Sequence, residues 1–269
     1  MATLDAVSKA ASEATSKDLE RLPEKEEKST GQWALVWRRL RRHKLAMGGL
    51  VVLVLVTAIS LLAPWISPYS YEEQNYRALY LPWFAQGDPG KPMHWLGTDG
   101  LGRDTLTRVL HAGRISLVVA LLVTLLNVLL GIAIGAVSGF FGGWVDTLLM
   151  RFTDLMLTLP QLPVLIILSS SLRQFASLQK FLGSNLSVIV IIFVLVVFAW
   201  MGVARLVRGS VLSLRSQEFV EASRALGASS WRIISKHLVP NSMAPIIVAA
   251  TLGFGAVIIS ESALSFLGF

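Results

Sequence analysis

Five uncharged apolar runs set the limits on what this chain can fold into: 45–66, 115–145, 155–172, 181–204 and 238–260. Each is near or above the roughly 20 residues that carry a helix across a bilayer. The apolar residues come in blocks and not in alternation, so these are helices and not barrel strands. With 54% apolar residues, the chain exceeds the about 45–50% of a soluble domain. The reading is an all-α, polytopic transmembrane helical bundle with five spans. The run 155–172 is the shortest and extends toward Trp144 if Arg151 and Asp154 are paired or buried. Thr158-Leu159-Pro160 and Pro163 bend it.

Charge then orients the bundle. Residues 1–31 are polar, without the apolar stretch of a signal peptide, and read as a disordered tail. From 32 to 66 an interfacial helix bearing Trp33, Trp37, Arg38, Arg39, Arg41, Arg42 and Lys44 leads into the first span. Residues 67–114 form an irregular extracytoplasmic segment rich in Pro, Trp and Tyr, in which Asp104 caps a short helix over 105–112. Residues 115–269 are the core, with a basic loop at 205–241 carrying Arg205, Arg208, Arg215, Arg224, Arg232 and Lys236. Cations concentrate at the amino end and on this loop, which places both in the cytoplasm. The net charge of +7 therefore serves lipid and topology and not nucleic acid, because it sits at the ends of apolar runs.

Catalytic chemistry is not encoded. There is no cysteine, and the four histidines at 43, 94, 111 and 237 are too scattered to share a metal. Gly87-Asp88-Pro89-Gly90-Lys91 lacks the spacing and hydroxyl of a phosphate loop, and neither HExxH nor GxSxG occurs. If the chain serves a powered process, the energy must arrive from a partner.

The most ordered loop is 218–241. Phe219, Ala222 and Leu226 share a helical face, Gly227 stops that helix, and Ser229 or Ser230 caps the next. Pro240 opens the following span. A loop held only by headgroup charge needs none of these devices, so this helix–break–helix is read as a grip for a partner. Gly131, Gly135 and Gly139 form a small-residue ladder for close helix packing, within the chain or on a second subunit. Arg151 and Asp154 are spaced to pair on one face. Glu261, beside Ser260, is either a pathway carboxylate, one hydrogen-bonded to neighbouring hydroxyls, or one facing the outer interface.

Glu221-Ala222-Ser223, with Gly227 and then Pro240 thirteen residues beyond it, resembles the EAA motif of ATP-binding-cassette importer permeases. Ser223 replaces the second Ala, His237 stands where Ile is usual, and Val239 replaces Leu. His237-Leu238-Val239-Pro240-Asn241, the run His94 to Asp99, and Gly102-Arg103-Asp104 resemble the dipeptide/oligopeptide branch, in its second (C-type) permease. The resemblance implies the type I importer permease fold, with a sixth span beyond Phe269, in the cell inner membrane. It implies a coupling helix in which Glu218, Phe219, Glu221, Ala222, Arg224, Ala225, Leu226, Gly227 and Ser230 contact an ATPase and His237, Pro240 and Asn241 end the loop. It also implies a second permease, two ATPase subunits that bind ATP and Mg, an extracytoplasmic binding protein, and no cofactor in this chain. The cargo that the resemblance implies is a di- or oligopeptide; a nickel chelate, glutathione or a sugar is the alternative within the same architecture. A secondary transporter would show inverted repeats, and none is visible.

Overall fold

The structure is a computed structural model that describes residues 40–174, 179–180, 183 and 186–268. The tail at 1–31 and most of the interfacial helix from 32 lie outside them. The chain divides after Leu55 into two units. The first contains the opening part of α1 (Lys44–Leu61), whose Leu45, Val51 and Val52 are exposed as lipid-facing side chains are. The second holds everything described below.

Among the described residues four helices are long and apolar enough to cross a membrane: α1, α3 (Thr105–Phe141), α6 (Leu186–Leu214) and α10 (Met243–Phe266). The remaining run is not a straight span. It is divided between α4 (Gly143–Thr158) and α5 (Gln161–Arg173), which meet at 88°. Pro160 is the cause: it favours extended backbone at Leu159 and withholds the N–H that would continue α4. A short helix, α2 (Ala63–Ile66), follows α1.

Asp104 caps as expected, accepting from the Thr107 N–H at 2.8 Å. The helix it opens is not short, however: α3 runs 37 residues without interruption, about 55 Å at the α-helical rise. The core thus begins at Thr105 and not at 115. At its other end the apolar run 115–145 is cut by Gly142 and Gly143, at φ +64° and +54°, which turn the chain into α4 where a β-carbon would be strained.

Helices α3 and α6 run parallel, backbone to backbone. A β-carbon on Gly131 would lie 2.6 Å from Val203 Cβ, one on Gly135 2.8 Å from Val207 Cβ, and one on Gly139 2.9 Å from the Arg208 carbonyl oxygen. Both partners rise together in number, so the glycine ladder packs within the chain. Helix α10 runs antiparallel to α3, its Glu261 meeting Ser116 near the start of α3. Val119, Ala120 and Val123 of α3, Leu165 of α5, Val194 and Met201 of α6 and Leu264 of α10 form the core at this end.

The segment between α2 and α3 is folded and not merely laid on a surface. His94 and Asp104 are buried and hydrogen-bonded at 2.8 Å, Tyr69 stacks on His94 at 4.4 Å, and Asn75 donates to Asp88 at 2.7 Å. Asp99 is its electrostatic pin. Partial burial raises its carboxyl pKa, but the N–H groups of Arg103 and Leu101 and the guanidinium groups of Arg108 and Arg103 outweigh that and hold it at about 2.

Two outcomes follow from this packing. Gly135→Val forces α3 off α6 and is expected to cost about 1–3 kcal/mol or more, read as a lower Tm of the detergent-solubilised protein. Because the folded Asp99 pKa lies below its ordinary 3.8, its contribution of roughly 2 kcal/mol is present above pH 4 and lost as pH falls through 2. Pepsin should therefore cut the segment between α2 and α3 of Asp99→Asn faster than that of wild type at pH 4, with the difference vanishing near pH 2.

Candidate functional site

Beyond α6 the chain makes an elbow: α7 (Glu218–Ala225), α8 (Ser230–Ile233), a π-helical turn (Ile234–Leu238) and α9 (Val239–Asn241). Helix α7 forms with Glu218 and Glu221 in its first turn and Arg224 in its last, the arrangement that complements a helix dipole. It ends where Gly227 takes φ +78° and the Ala228 N–H donates to the Ser223 carbonyl at 3.0 Å, a Schellman closure. No atom lies within 4 Å of where a Gly227 β-carbon would be, so backbone conformation and not space requires the glycine. Ser229 is the cap of α8, accepting from the Arg232 N–H, and Ser230 is the first helical residue. Asn241 donates to the His237 carbonyl at 2.6 Å and closes the elbow.

The elbow has an inner and an outer face. Val220, Ile233, Ile234 and Leu238 are buried against Ala136 and Phe140 of α3, Val207 and Val211 of α6, and Ile246 of α10. The guanidinium of Arg224 sits 5.2 Å above the Phe140 ring, within range for a cation–π contact. The opposite face carries Phe219, Ala222 and Leu226 (89% exposed), whereas the exposed Trp231 lies beside α3 and shares a pocket with Leu129, Ala133 and Val137. So the 219/222/226 face is the free one, and Val220, one position off it, is the rivet. Sequence reasoning missed Val220 because an isolated apolar residue beside a better-spaced set gives no periodic signal.

Charged pairs fix the ground on which the elbow stands. Arg208 of α6 forks onto Asp146 of α4, Nη2 to Oδ2 at 2.6 Å, and the Ser138 hydroxyl donates to the same carboxylate. Arg205 pairs with Asp154, which corrects the expected Arg151–Asp154 pair. The reason is register: the glycine seam and the Gly142–Gly143 turn set α4 against α6, and a partner on the facing helix wins over one on the same helix. Arg215 reaches back to the Gly139 carbonyl at 3.1 Å, satisfying an acceptor near the end of α3.

Glu261 is buried and accepts from the Ser116 and Ser265 hydroxyls at 2.8 and 2.9 Å. These hydroxyls come from α3 and from one turn further along α10, and not from the chain neighbours Ser260 and Ser262. Ser260 instead lines a cavity between α3, α6 and α10.

Packed helices, a bent span and an elbow seated on them define a multi-pass membrane bundle. The chain belongs to the family described as binding-protein-dependent transport system inner membrane component, which matches residues 131–269. Residues 31–82 match the N-terminal TM domain of oligopeptide transport permease C. The chain is 40% identical to a dipeptide transport system permease protein, DppC, of Bacillus subtilis, over 86% of its own length and 67% of that protein's. It is 36% identical to the oligopeptide transport system permease protein OppC of the same organism, over 90% and 73%. A glutathione transport system permease protein, GsiD, of Escherichia coli is 34% identical over 88% and 72%. The permease reading drawn from Glu221, Gly227 and Pro240 is thereby borne out, as is the all-α polytopic fold.

A double-mutant cycle checks the inner pairing: Asp146→Leu and Arg208→Leu should couple by about 1–3 kcal/mol in thermal stability, whereas Arg151→Leu and Asp154→Leu should be additive.

Proposed function

We propose that this chain forms, with a second permease, the membrane pathway of an ATP-driven importer of di- or oligopeptides. Its elbow is received by one of two partner ATPases, and an extracytoplasmic binding protein delivers the cargo. In this reading the amino end and the elbow face the cytoplasm across the inner membrane, and ATP and Mg are bound by the ATPases, with no cofactor in this chain. One observation carries the proposal: Val220 of α7 is buried in a cluster with residues of α3, α6 and α10, while Leu226 on the opposite face is left exposed. An element so exposed and so firmly based transmits force from whatever grips it.

Mechanistically, nucleotide binding in the partners shifts a two-state equilibrium, inward-open against outward-open. The elbow contributes only the difference in contact free energy between those states. The glycine seam and the Asp146–Arg208 fork let α3, α4 and α6 move with α7 as one body. The 88° break between α4 and α5 is where that body hinges against the rest. The peptide class is favoured by the names of the similar permeases, in which dipeptides and oligopeptides recur, with glutathione as the alternative named once.

Glu221→Arg, Gly227→Trp and Leu226→Asp each alter the outer face or its conformation without touching the core residues. Each is expected to reduce co-purification of the ATPase about tenfold or to separate ATP hydrolysis from uptake, a loss of about 1.4 kcal/mol or more. Full association and full coupling in all three would refute the assignment of the elbow.

A further inference from the structure

Helix α3 enters the apolar part of the bundle past an arginine. Arg114 is the last charged residue before the uncharged run 115–145, at the end of α3 away from the elbow. It is exposed and makes no ion pair among the described residues. The two arginines before it in the chain are matched, since Arg103 and Arg108 both bind Asp99. Glu261 of α10 is taken by the Ser116 and Ser265 hydroxyls. An arginine where an apolar run begins sits at headgroup depth, and here a groove is built around it.

Tyr71, His111, Arg114, Ile115, Val118 and Val188 line an open groove of about 290 Å³ between α3, the start of α6 and the segment that follows α2. Its polar and apolar parts are separated along α3. His111 and Arg114 come first, and Val118 lies four residues past Arg114, about 6 Å deeper along the axis. No carboxylate lines the groove. Two groups beside Arg114 have hydrogen-bonding capacity to spare. The Tyr71 hydroxyl makes no hydrogen bond among the described residues. His111 places Nδ1 2.9 Å from the Thr107 carbonyl oxygen. A carbonyl only accepts, so Nδ1 carries the proton and the neutral ring keeps Nε2 as an acceptor. The His111 and Tyr71 ring centroids are 5.4 Å apart, which puts both at the same end of the groove as Arg114.

We infer that this groove binds one anionic phospholipid. Its phosphodiester is held by the Arg114 guanidinium and the Tyr71 hydroxyl, and a headgroup hydroxyl donates to His111 Nε2. The start of an acyl chain then lies along Ile115, Val118 and Val188. Charge selects the headgroup: an unmatched cation with no acid beside it complements a net negative phosphodiester and not a zwitterion. The order of the lining selects a lipid over a small soluble anion. Polar groups stand where the apolar run begins and apolar ones lie deeper, as head and chain do in a bilayer, and free phosphate would leave the apolar floor uncovered. In the orientation proposed above this is the outer leaflet, but the site itself does not rest on the importer reading.

The test uses the purified, intact membrane complex in detergent and native mass spectrometry. Phosphatidylglycerol and phosphatidylcholine with identical chains are titrated in turn. The first phosphatidylglycerol is expected to bind Arg114→Gln about three- to tenfold more weakly than wild type, the worth of one cation beside an anionic headgroup. Phosphatidylcholine binding should not change. Equal phosphatidylglycerol constants in the two proteins overturn the site, and so does an equal loss for both lipids. Arg114→Lys restores the charge and should recover most of the affinity; a lysine variant as weak as the glutamine one overturns the electrostatic assignment. Val118→Trp fills the floor of the groove and leaves the cation in place. It should weaken both lipids, and an unchanged phosphatidylglycerol constant there counts against the groove as the seat. If a second subunit covers the groove instead, Arg114→Gln releases that subunit and leaves lipid binding as it was, which also overturns the proposal. Lipid binding is read here and not uptake, so a complex that binds as expected yet imports no peptide refutes the importer reading alone.

Discussion

The bundle depends on how closely two helices can approach without a hydrophobic force between them. Lipid tails are as apolar as leucine, so α3 and α6 gain nothing by hiding side chains from lipid; they gain from contact. Gly131, Gly135 and Gly139 remove the β-carbons that would hold the helices apart, and Val203, Ala204, Val207 and Val211 fill the space. Every later feature takes its register from this seam. It sets where Arg205 and Arg208 meet α4, and where Phe140 and Val211 wait for the elbow.

The inner end converts that register into a handle. An arginine in a span is costly unless paired, and Arg208 is satisfied by a two-pronged contact with Asp146 that also ties α4 to α6. Arg215 holds the Gly139 carbonyl, and Val220, Ile233, Ile234 and Leu238 close the underside of the elbow. The rim of Phe219 and Leu226 is left exposed. A polar rim would be content in water. An apolar one beside Glu221 and Arg224 suits a protein surface better than solvent.

Much of this was legible in the residues. Blocks of apolar sequence gave the helical class, Asp104 and Gly227 marked real boundaries, and Pro160 announced the bend. What was hidden depended on distance in the chain. The short helix expected at 105–112 extends to Phe141 because nothing after Ala112 breaks it, and Arg114 is the only charge on the way. Asp154 pairs with Arg205, 51 residues away, and no local spacing predicts that. Similarly, the order in the outer segment comes from His94, Asp104 and Tyr69 meeting across turns that Gly97 and Gly102 allow at positive φ. The elbow's free face was found by periodicity, but its buried anchor, Val220, was not.

The chain has no cysteine, so a single one placed on the rim reports without background. Leu226→Cys, reacted with a maleimide in membranes that expose the inner side, measures whether that rim is covered. Fast labelling is expected of the permeases alone, and labelling slowed by about tenfold or more once the partner ATPases are bound. Equal rates with and without them would show that the elbow is not the surface they grip.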